Sequence, residues 1–510
     1  MKLPEKTWLV IFAVVCFVYI LLRLWNLTAS CLWFDEIFSV HAATHSWNSI
    51  VWFVAQDLIH PPLFYILLKI WISVGGESLF WLRFFPVFFS IIAIIPFVLL
   101  ARELKLNLST ITLALTFFAV NGSLIKYSQE LRMYSLLLCL GLLSMWLFVR
   151  FLNTGKGFLL FVIVNILLVY SHYFGWFLIL TEILAVITLK REKIKHVFLM
   201  FGITTLCFAP WIYALWQATN TKSSVGQNIG WMTKPNLLSI LQFVFDLFEP
   251  VYFEQSNTDS TAIFLITVPI IFIVAGIAVL RLINWKETDE QEKRAFYLLT
   301  YFVSTPILLA FVLSWILPYS IWGTRHLIIV FAPMTILAAL LFSKISIKPL
   351  LQIVSLSLVF LLFGAAFLLQ LTREDPKYIW CAWENLAQNL GESTFDKNES
   401  IKIYTFEDLV AYHFWFALRR DSKSNFQIIK VNGIEDLIED KAYFLPRGFD
   451  EVKAIDRFEG NERFFVAFRD QEWNETKPPL KNLIAKGYRI SAPKVFEAQG
   501  LKAFLFEVQK

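Results

Sequence analysis

The chain has 510 residues, of which 57% are apolar or aromatic and only 17% are charged, and its formal net charge is +5. Soluble domains are about half apolar and about a quarter charged. The composition therefore argues against an ordinary soluble single-domain enzyme and excludes a disordered chain. No long run of Lys and Arg indicates nucleic-acid binding.

Apolar stretches long enough to cross a bilayer recur over the first 371 residues. A hydrocarbon layer of about 30 Å needs about 20 apolar residues in a helix. Eleven segments approach this length, at 7–25, 84–101, 108–126, 134–150, 157–171, 174–190, 196–215, 261–283, 295–316, 327–343 and 349–370. The sequence predicts a polytopic α-helical membrane protein, with the first segment an uncleaved span because it lacks a small-residue cleavage site.

The basic residues fix a predicted orientation. With the N-terminus in the cytoplasm, the cytoplasmic segments hold sixteen Lys and Arg residues, more than the outer segments before residue 371. This is the usual bias of membrane proteins. The apolar stretch 63–74 is too short to span, and counting it would invert every later loop. We therefore interpret it, and the segment 39–55, as juxtamembrane helices on the outer surface.

The composition changes after residue 371. Residues 372–510 contain alternating runs at 401–406, 426–431, 464–468 and 496–508, with helical patterns at 407–420 and 479–487. These features predict a small soluble α/β domain. An odd number of spans places it outside the cytoplasm. The predicted organisation is a transmembrane domain at 1–371, with its first outer loop at 26–82, and an extracytoplasmic domain at 372–510.

An acidic pair, Asp35-Glu36, follows the first predicted span. Placing charge at a membrane boundary costs free energy, which indicates a structural or functional role for the pair. A carboxylate at the outer face can act as a general base, and acidic residues also stabilise the first turn of a helix. The residues alone leave catalysis and helix capping open.

Two histidines follow the acidic pair. His41 and His45 are four residues apart and would share one face of a helix. With Asp35, Glu36 and His60 they are candidates for a metal site, but the spacing lacks the glutamate of a metalloprotease motif. We therefore predict no required metal or other cofactor, with a divalent metal as the weaker alternative, and place both histidines on an amphipathic helix at the lipid headgroups.

Cationic residues lie at the predicted outer ends of several spans. His60 precedes two prolines, which fix a sharp entry into the stretch 63–74. Arg83 opens the second span, Arg132 lies within YSQELRMY (127–134), and Arg325-His326 precede the tenth span. Each one alone is explained as an interfacial anchor. Together, at one depth, they predict a site for phosphate, which arginine binds well.

These elements, in this order, resemble the membrane-embedded GT-C glycosyltransferases of the protein O-mannosyltransferase and aminoarabinose transferase type (glycosyltransferase family 39/83-like). The resemblance covers residues 1–345. It implies a GT-C fold. It also implies transfer of a monosaccharide from a polyprenyl phosphate to an acceptor hydroxyl on the extracytoplasmic side, normally with inversion.

The resemblance also implies roles for single residues. Asp35 matches the acidic residue that deprotonates the acceptor, with Glu36 as its neighbour, and His60 matches a position near the donor phosphate. Further phosphate contacts would be Arg83, Arg132, Arg325 and His326, although the family more often has Arg-Tyr at the last pair. Candidates for lining the substrate pocket are Tyr65, Tyr127, Gln129, Glu130 and Tyr134.

The implied partners are a polyprenyl-phosphate sugar, membrane lipid and an acceptor that is a glycan, a lipid or a protein. The sequence leaves the sugar and the acceptor open. The alternative is a polytopic transporter or flippase without transferase chemistry, which would place ionisable residues at the centres of spans. Glu182 is the chief such residue. The other charges gather at one face, which favours transfer.

Overall fold

The computed structural model describes residues 4–220, 225–251, 260–343, 349–375, 377–390, 401–420, 425–433, 437–438, 443–456 and 462–510. The chain divides into two compact units. Residues 1–27 and 46–374 form the first unit, and residues 28–45 and 375–510 form the second. Part of the predicted first outer loop, 28–45, thus groups with the C-terminal residues. The predicted division into a catalytic and an extracytoplasmic domain stays a prediction.

The first unit is helical, and the second combines helices with one sheet. The helices are α1 Glu5–Leu24, α2 Phe34–Thr44, α3 Ile50–Asp57, α4 Leu63–Gly75, α5 Leu79–Ile92, α6 Ile94–Glu103, α7 Leu108–Val120, α8 Gly122–Gln129, α9 Tyr134–Thr154, α10 Phe158–Ser171, α11 Gly175–Leu189, α12 Ile194–Thr219, α13 Val225–Ile229, α14 Leu237–Phe248, α15 Ser260–Ile283, α16 Glu290–Ile316, α17 Phe331–Ser343, α18 Pro349–Leu371, α19 Ala382–Leu390, α20 Asp408–Arg420 and α21 Leu480–Ala485.

Every predicted span coincides with helix, and the predicted polytopic helical fold is confirmed. Within the described residues, seven helical stretches are long and apolar enough to cross a membrane: Glu5–Leu24, Leu79–Glu103, Tyr134–Thr154, Arg191–Thr219, Thr261–Ile283, Glu290–Ile316 and Leu350–Leu371. The other four predicted spans correspond to shorter apolar helices, among them α10 and α11. The number of eleven crossings stays a prediction.

Two predicted segments are subdivided. The span 108–126 breaks at Asn121, whose side chain accepts the Leu124 N–H at 2.9 Å and so begins α8. Residues 39–55 divide between α2, in the second unit, and α3, in the first. The stretch 63–74 is helical, as α4, and its position on the membrane surface stays a prediction.

Arg23, near the end of α1, is fully buried in the first unit. It donates hydrogen bonds to the carbonyls of Ala119 at 2.9 Å and Phe118 at 3.0 Å, which lie in the last turn of α7. It also donates to Ser90 Oγ at 3.1 Å, on α5. The last carbonyls of a helix lack partners within it and carry the negative end of its dipole. The guanidinium therefore satisfies α7 and joins three helices.

A second polar network connects three apolar helices. Ser144 of α9 donates to Glu182 of α11 at 2.7 Å, and its hydroxyl lies 3.1 Å from Asn165 Oδ1 of α10. All three side chains are fully buried. Hydrogen bonds of this kind hold helices together where no water is present. Glu182, the residue that the transporter alternative emphasised, thus takes part in helix packing.

The second unit contains the sheet. Its strands are β1 Ile401–Thr405, β2 Phe426–Val431, β3 Lys453–Ile455, β4 Arg463–Asp470, β5 Arg489–Ile490, β6 Lys494–Ala498 and β7 Leu501–Gln509. The strand order is β3-β2-β1-β4-β7-β5, with β6 also paired to β7. The neighbours β3, β2, β1 and β4 run parallel, and β7 is antiparallel to β4. Helix α20 connects β1 to β2, as parallel pairing requires.

The alternating run 496–508 forms a hairpin of two strands. Ala498 pairs with Leu501, so the turn consists of Gln499 and Gly500. Both have positive φ, 56° and 74°. Two-residue turns with positive φ at both positions match the twist of the flanking strands, and glycine adopts this conformation without strain.

A disulfide joins the two sequence segments of the second unit. Cys31 lies just before α2 and Cys381 just before α19, and their sulfurs are bonded. The two cysteines are 350 residues apart in sequence, and no local pattern pairs them. The bond attaches α2, with its acidic pair, to the C-terminal part of the same unit.

Replacing Arg23 tests its role in joining helices. We expect Arg23→Met to lower the free energy of unfolding by about 2–4 kcal/mol, because the carbonyls at the end of α7 lose their donors but stay buried. Thermal unfolding in detergent measures the change. Arg102→Met, on the exposed end of α6, is the matched control, and equal stability of the two variants would contradict the assignment.

Candidate functional site

Three residues predicted as site residues meet in the first unit. Arg132 donates from Nη2 to His60 Nδ1 at 3.3 Å and from Nη1 to the Tyr65 hydroxyl at 3.4 Å. All three side chains are buried. The carboxylate of Asp57 lies 3.6 Å from the same histidine nitrogen, which is beyond ordinary hydrogen-bond distance. The geometry therefore makes Nδ1 of His60 an acceptor from Arg132.

Two further histidines complete what we call the histidine cluster, defined as His60, His172 and His326. The ring centroids of His60 and His172 are 5.6 Å apart, and those of His172 and His326 are 5.5 Å apart. Tyr134, another predicted pocket residue, has its ring 6.4 Å from His172. The three histidines lie in the connections α3–α4, α10–α11 and α16–α17, which are far apart in the sequence.

The connection between α10 and α11 positions His172. The Phe174 N–H donates to His172 Nδ1 at 3.1 Å, so the ring is fixed by the turn itself. The turn is tight because α11 begins at Gly175. A β-carbon at that position would lie 3.0 Å from the Leu168 carbonyl oxygen, closer than side chains tolerate. Glycine thus allows the two helices to approach where the histidine sits.

The loop before α17 positions His326. Its Nδ1–H donates to the Ile321 carbonyl at 3.2 Å. Gly323 underlies the ring, since a β-carbon there would lie 3.2 Å from Nδ1. Thr324 donates to the Asp246 carboxylate at 2.6 Å, which attaches the same loop to α14. The predicted pair Arg325-His326 is therefore held by contacts on both sides.

Burial sets the charge of the cluster. It lowers the pKa of His60 and His172 well below the ordinary value, and nearby cations, including Arg132 and Arg325, lower it further. Burial and Arg325 also lower the pKa of His326, to about 3. The three imidazoles are therefore neutral at physiological pH. The positive charge acting on the cluster comes from the arginines.

The remaining predicted cations have contacts of their own. Arg325 is partly exposed, and its guanidinium lies 5.8 Å from the centre of the Trp231 ring. Arg83, on α5, is buried and donates to the Leu27 carbonyl at 3.1 Å. Its predicted contact with phosphate stays a prediction.

The segment 127–134 contributes packing as well as Arg132. The Tyr127 and Tyr134 rings pack edge to face at 5.3 Å. Gln129 donates to the carbonyls of Arg23 at 3.2 Å and Trp25 at 2.7 Å. Glu130 is buried, and its backbone carbonyl accepts the Arg132 backbone N–H at 2.6 Å. Their contact with substrate stays a prediction.

The acidic pair belongs to the second unit, in the first turn of α2. Glu36 is 1% exposed, and its carboxylate accepts the backbone N–H of Trp33 at 3.1 Å. This is the helix-capping contact that the sequence left open for the pair. Asp35 is partly exposed, and its own carbonyl accepts the Ser39 hydroxyl. The catalytic assignment of both residues stays a prediction.

The two histidines of α2 pack within the second unit. His41 is buried against the rings of Tyr412, Trp415 and Phe449, and its Nδ1 lies 2.9 Å from the Tyr412 hydroxyl. His45 Nδ1 lies 2.9 Å from the carbonyl of His41. The expectation of histidines on an amphipathic surface helix is wrong for His41, because α2 packs on α20 through this aromatic cluster. Metal dependence stays a prediction.

Comparison with known family models gives no match, and neither does comparison with curated proteins. Among solved structures, ArnT from Cupriavidus metallidurans bound to undecaprenyl phosphate covers 99% of this chain and 98% of its own, with a TM-score of 0.59 and 10% sequence identity. Its apo state covers 98% of each chain, with a TM-score of 0.57 and the same identity. The chain shares the ArnT fold. The GT-C fold predicted from the sequence is thereby confirmed.

The Archaeoglobus fulgidus oligosaccharyltransferase in complex with Zn and sulfate covers 80% of the chain at 13% sequence identity, with a TM-score of 0.49. The chain spans 61% of the length of that protein. It therefore matches ArnT over nearly the whole of both chains and the archaeal protein over only part of its length.

Sequence reasoning missed one member of the cluster in this ArnT-like chain. His172 lies between two apolar runs, where it resembles an ordinary boundary residue. The signal was nevertheless present. The predicted topology places the connection 172–173 on the same side as His60, Arg132 and His326, at one end of the helices.

The buried position of His41 predicts a pH dependence of stability. Burial lowers its pKa to about 3 in the folded protein, whereas an unfolded histidine titrates near 6.5. The unfolded state therefore binds more protons below pH 6.5, and the contribution of His41 is lost as the pH falls from 6.5 toward 3. Between pH 7 and pH 5 we expect wild type to lose roughly 2 kcal/mol relative to His41→Gln.

Thermal unfolding of wild type and His41→Gln at both pH values measures this change. His196→Gln, at an exposed histidine at the start of α12, is the control and should keep the wild-type dependence. A difference between wild type and His41→Gln that is constant with pH would show that His41 does not titrate in this way.

Proposed function

We propose that the protein is a glycosyltransferase that moves a monosaccharide from a polyprenyl-phosphate donor to an acceptor hydroxyl, with inversion. The observation that carries the proposal is the histidine cluster beside Arg132, in a chain with the ArnT fold. Residues singled out from the sequence as phosphate contacts, His60, Arg132 and His326, lie together there. ArnT itself has been solved with undecaprenyl phosphate bound.

The proposed role of the first unit is to hold the donor phosphate. Arg132 supplies a fixed positive charge, and hydrogen bonds from a guanidinium to phosphate are among the strongest in proteins. Stabilising the departing phosphate lowers the barrier, because negative charge increases on that group as the bond to the sugar breaks. The phosphate contacts also orient the sugar carbon for in-line attack.

The proposed role of Asp35 is to accept the proton of the acceptor hydroxyl. It is the partly exposed member of the acidic pair, whereas Glu36 is engaged at the start of α2. A general base of this kind contributes about 10²–10⁴-fold to a rate. The scheme uses no metal, since the arginine supplies the charge and the carboxylate takes the proton.

We further propose that the second unit lies outside the cytoplasm. Two independent features support an extracytoplasmic location for the second unit. The basic residues favour a cytoplasmic N-terminus, and the Cys31–Cys381 disulfide is typical of an oxidising compartment. The membrane partners would be the polyprenyl donor and the surrounding lipid, and the acceptor would be a glycan, a lipid or a protein.

Replacing Asp35 tests the general base. We expect Asp35→Asn to lower kcat by roughly 10²–10⁴-fold with little change in the KM for the donor, because an amide cannot take the proton. Release of polyprenyl phosphate from a polyprenyl-phosphate sugar measures turnover, and EDTA should leave the wild-type rate unchanged. Wild-type activity in Asp35→Asn would exclude Asp35 as the general base. Movement of the donor lipid across a vesicle membrane without sugar release would favour a flippase.

Replacing Arg132 tests the phosphate contact. We expect Arg132→Ala to raise the KM for the donor by about 10–100-fold, since a hydrogen bond from a charged group to phosphate is lost. Arg150→Ala, at the exposed far end of α9, is the matched control and should behave as wild type. Unchanged donor KM in a stably folded Arg132→Ala would exclude Arg132 from the phosphate site.

A further inference from the structure

The hydrogen bonds of the histidine cluster fix which ring nitrogens carry a proton. A neutral imidazole has one N–H and one lone pair. In His172, Nδ1 accepts the Phe174 N–H at 3.1 Å, so its proton lies on Nε2. In His60, Nδ1 accepts from Arg132, which again leaves the proton on Nε2. In His326, Nδ1–H donates to a carbonyl, which makes Nε2 the acceptor.

The Nε2–H of His172 has no hydrogen-bond partner among the residues that the structure describes. The side chain is only 4% exposed. A buried donor in that state is costly, and native proteins almost always satisfy such groups with protein, water or ligand. The position of the ring between His60 and His326 indicates that the missing partner is a ligand of the cluster.

The surroundings specify the chemistry of that ligand. Arg132 donates to His60 Nδ1 at 3.3 Å, and the Asp57 carboxylate lies slightly farther from the same nitrogen, at 3.6 Å. Arg132 and Arg325 also act electrostatically on His172. A ligand that meets two imidazole N–H groups and an arginine must bring lone pairs and tolerate positive charge. An anionic oxygen satisfies both conditions, and a cation satisfies neither.

We propose that His172 is a further phosphate-binding residue, donating Nε2–H to a non-bridging oxygen of the lipid-linked phosphate. The inference rests on the proposed function. It adds a neutral donor to the charged one supplied by Arg132, on a ring that the turn before α11 holds in place. Because the phosphate is present in both the donor and the product, His172 should contribute to binding of both.

Two amide substitutions distinguish the contribution of Nδ1 of His172 from that of Nε2. Asn keeps an acceptor near the position of Nδ1 for the Phe174 N–H but has no group at Nε2. Gln places an amide N–H near the position of Nε2 and lacks the Nδ1 acceptor. If His172 binds phosphate, His172→Asn loses the contact and His172→Gln keeps part of it. If His172 only stabilises the turn, the order of the two variants is reversed.

The measurement compares donor KM with inhibition by the product. For His172→Asn we expect the KM of a polyprenyl-phosphate sugar and the Ki of polyprenyl phosphate to rise together by roughly tenfold or more, with kcat changed less. The corresponding rise in His172→Gln should be smaller. His196→Asn, at an exposed histidine at the start of α12, is the matched control and should leave both constants unchanged.

The outcomes discriminate between the two proposals. A wild-type protein that transfers no sugar from the lipid phosphate overturns the proposed function and this inference with it. A wild type that transfers normally, with an unchanged Ki in His172→Asn, overturns only the role of His172. A raised KM with unchanged Ki also overturns it, because the contact would then be with the sugar. If His172→Asn does not accumulate, a Ki increase of roughly tenfold in His172→Gln contradicts the proposal.

Discussion

The first unit is governed by the cost of burying a polar group without a partner among apolar helices. Arg23 meets that cost by donating to the carbonyls at the end of α7. Glu182 meets it only in part, because one carboxylate oxygen accepts from Ser144 and the other has no hydrogen-bond partner among the described residues. Both arrangements add polar contacts between helices that also pack through apolar side chains. The same cost applies to the histidine cluster, because the buried Nε2–H of His172 has no hydrogen-bond partner among the described residues.

Burial also determines how the cluster can act. It holds the three imidazoles neutral, so charge and hydrogen-bond direction are supplied by different residues. Arg132 supplies positive charge, whereas the imidazoles contribute directed donors and an acceptor. A site built in this way is preorganised, since each ring is fixed by a backbone group or by Arg132 before any ligand arrives.

The second unit is organised by a connection between remote segments. The disulfide and the packing of α2 on α20 bring residues 28–45 together with the sheet-containing C-terminal part. The acidic pair is thereby held on a helix with a defined start, at which Glu36 serves as the cap. The two members of the pair therefore differ in environment although they are adjacent in sequence.

The sequence alone determined the helical membrane class, the positions of the apolar helices, the sheet-containing C-terminal region and the location of His60, Arg132 and His326 in connections at the ends of helices. These follow from local composition and periodicity, which a linear pattern records directly. Tertiary structure decided the rest: that Cys31 pairs with Cys381, that residues 28–45 join the second unit, and that His172 completes the cluster. Each of these depends on contacts between residues far apart in the chain, which no local pattern encodes.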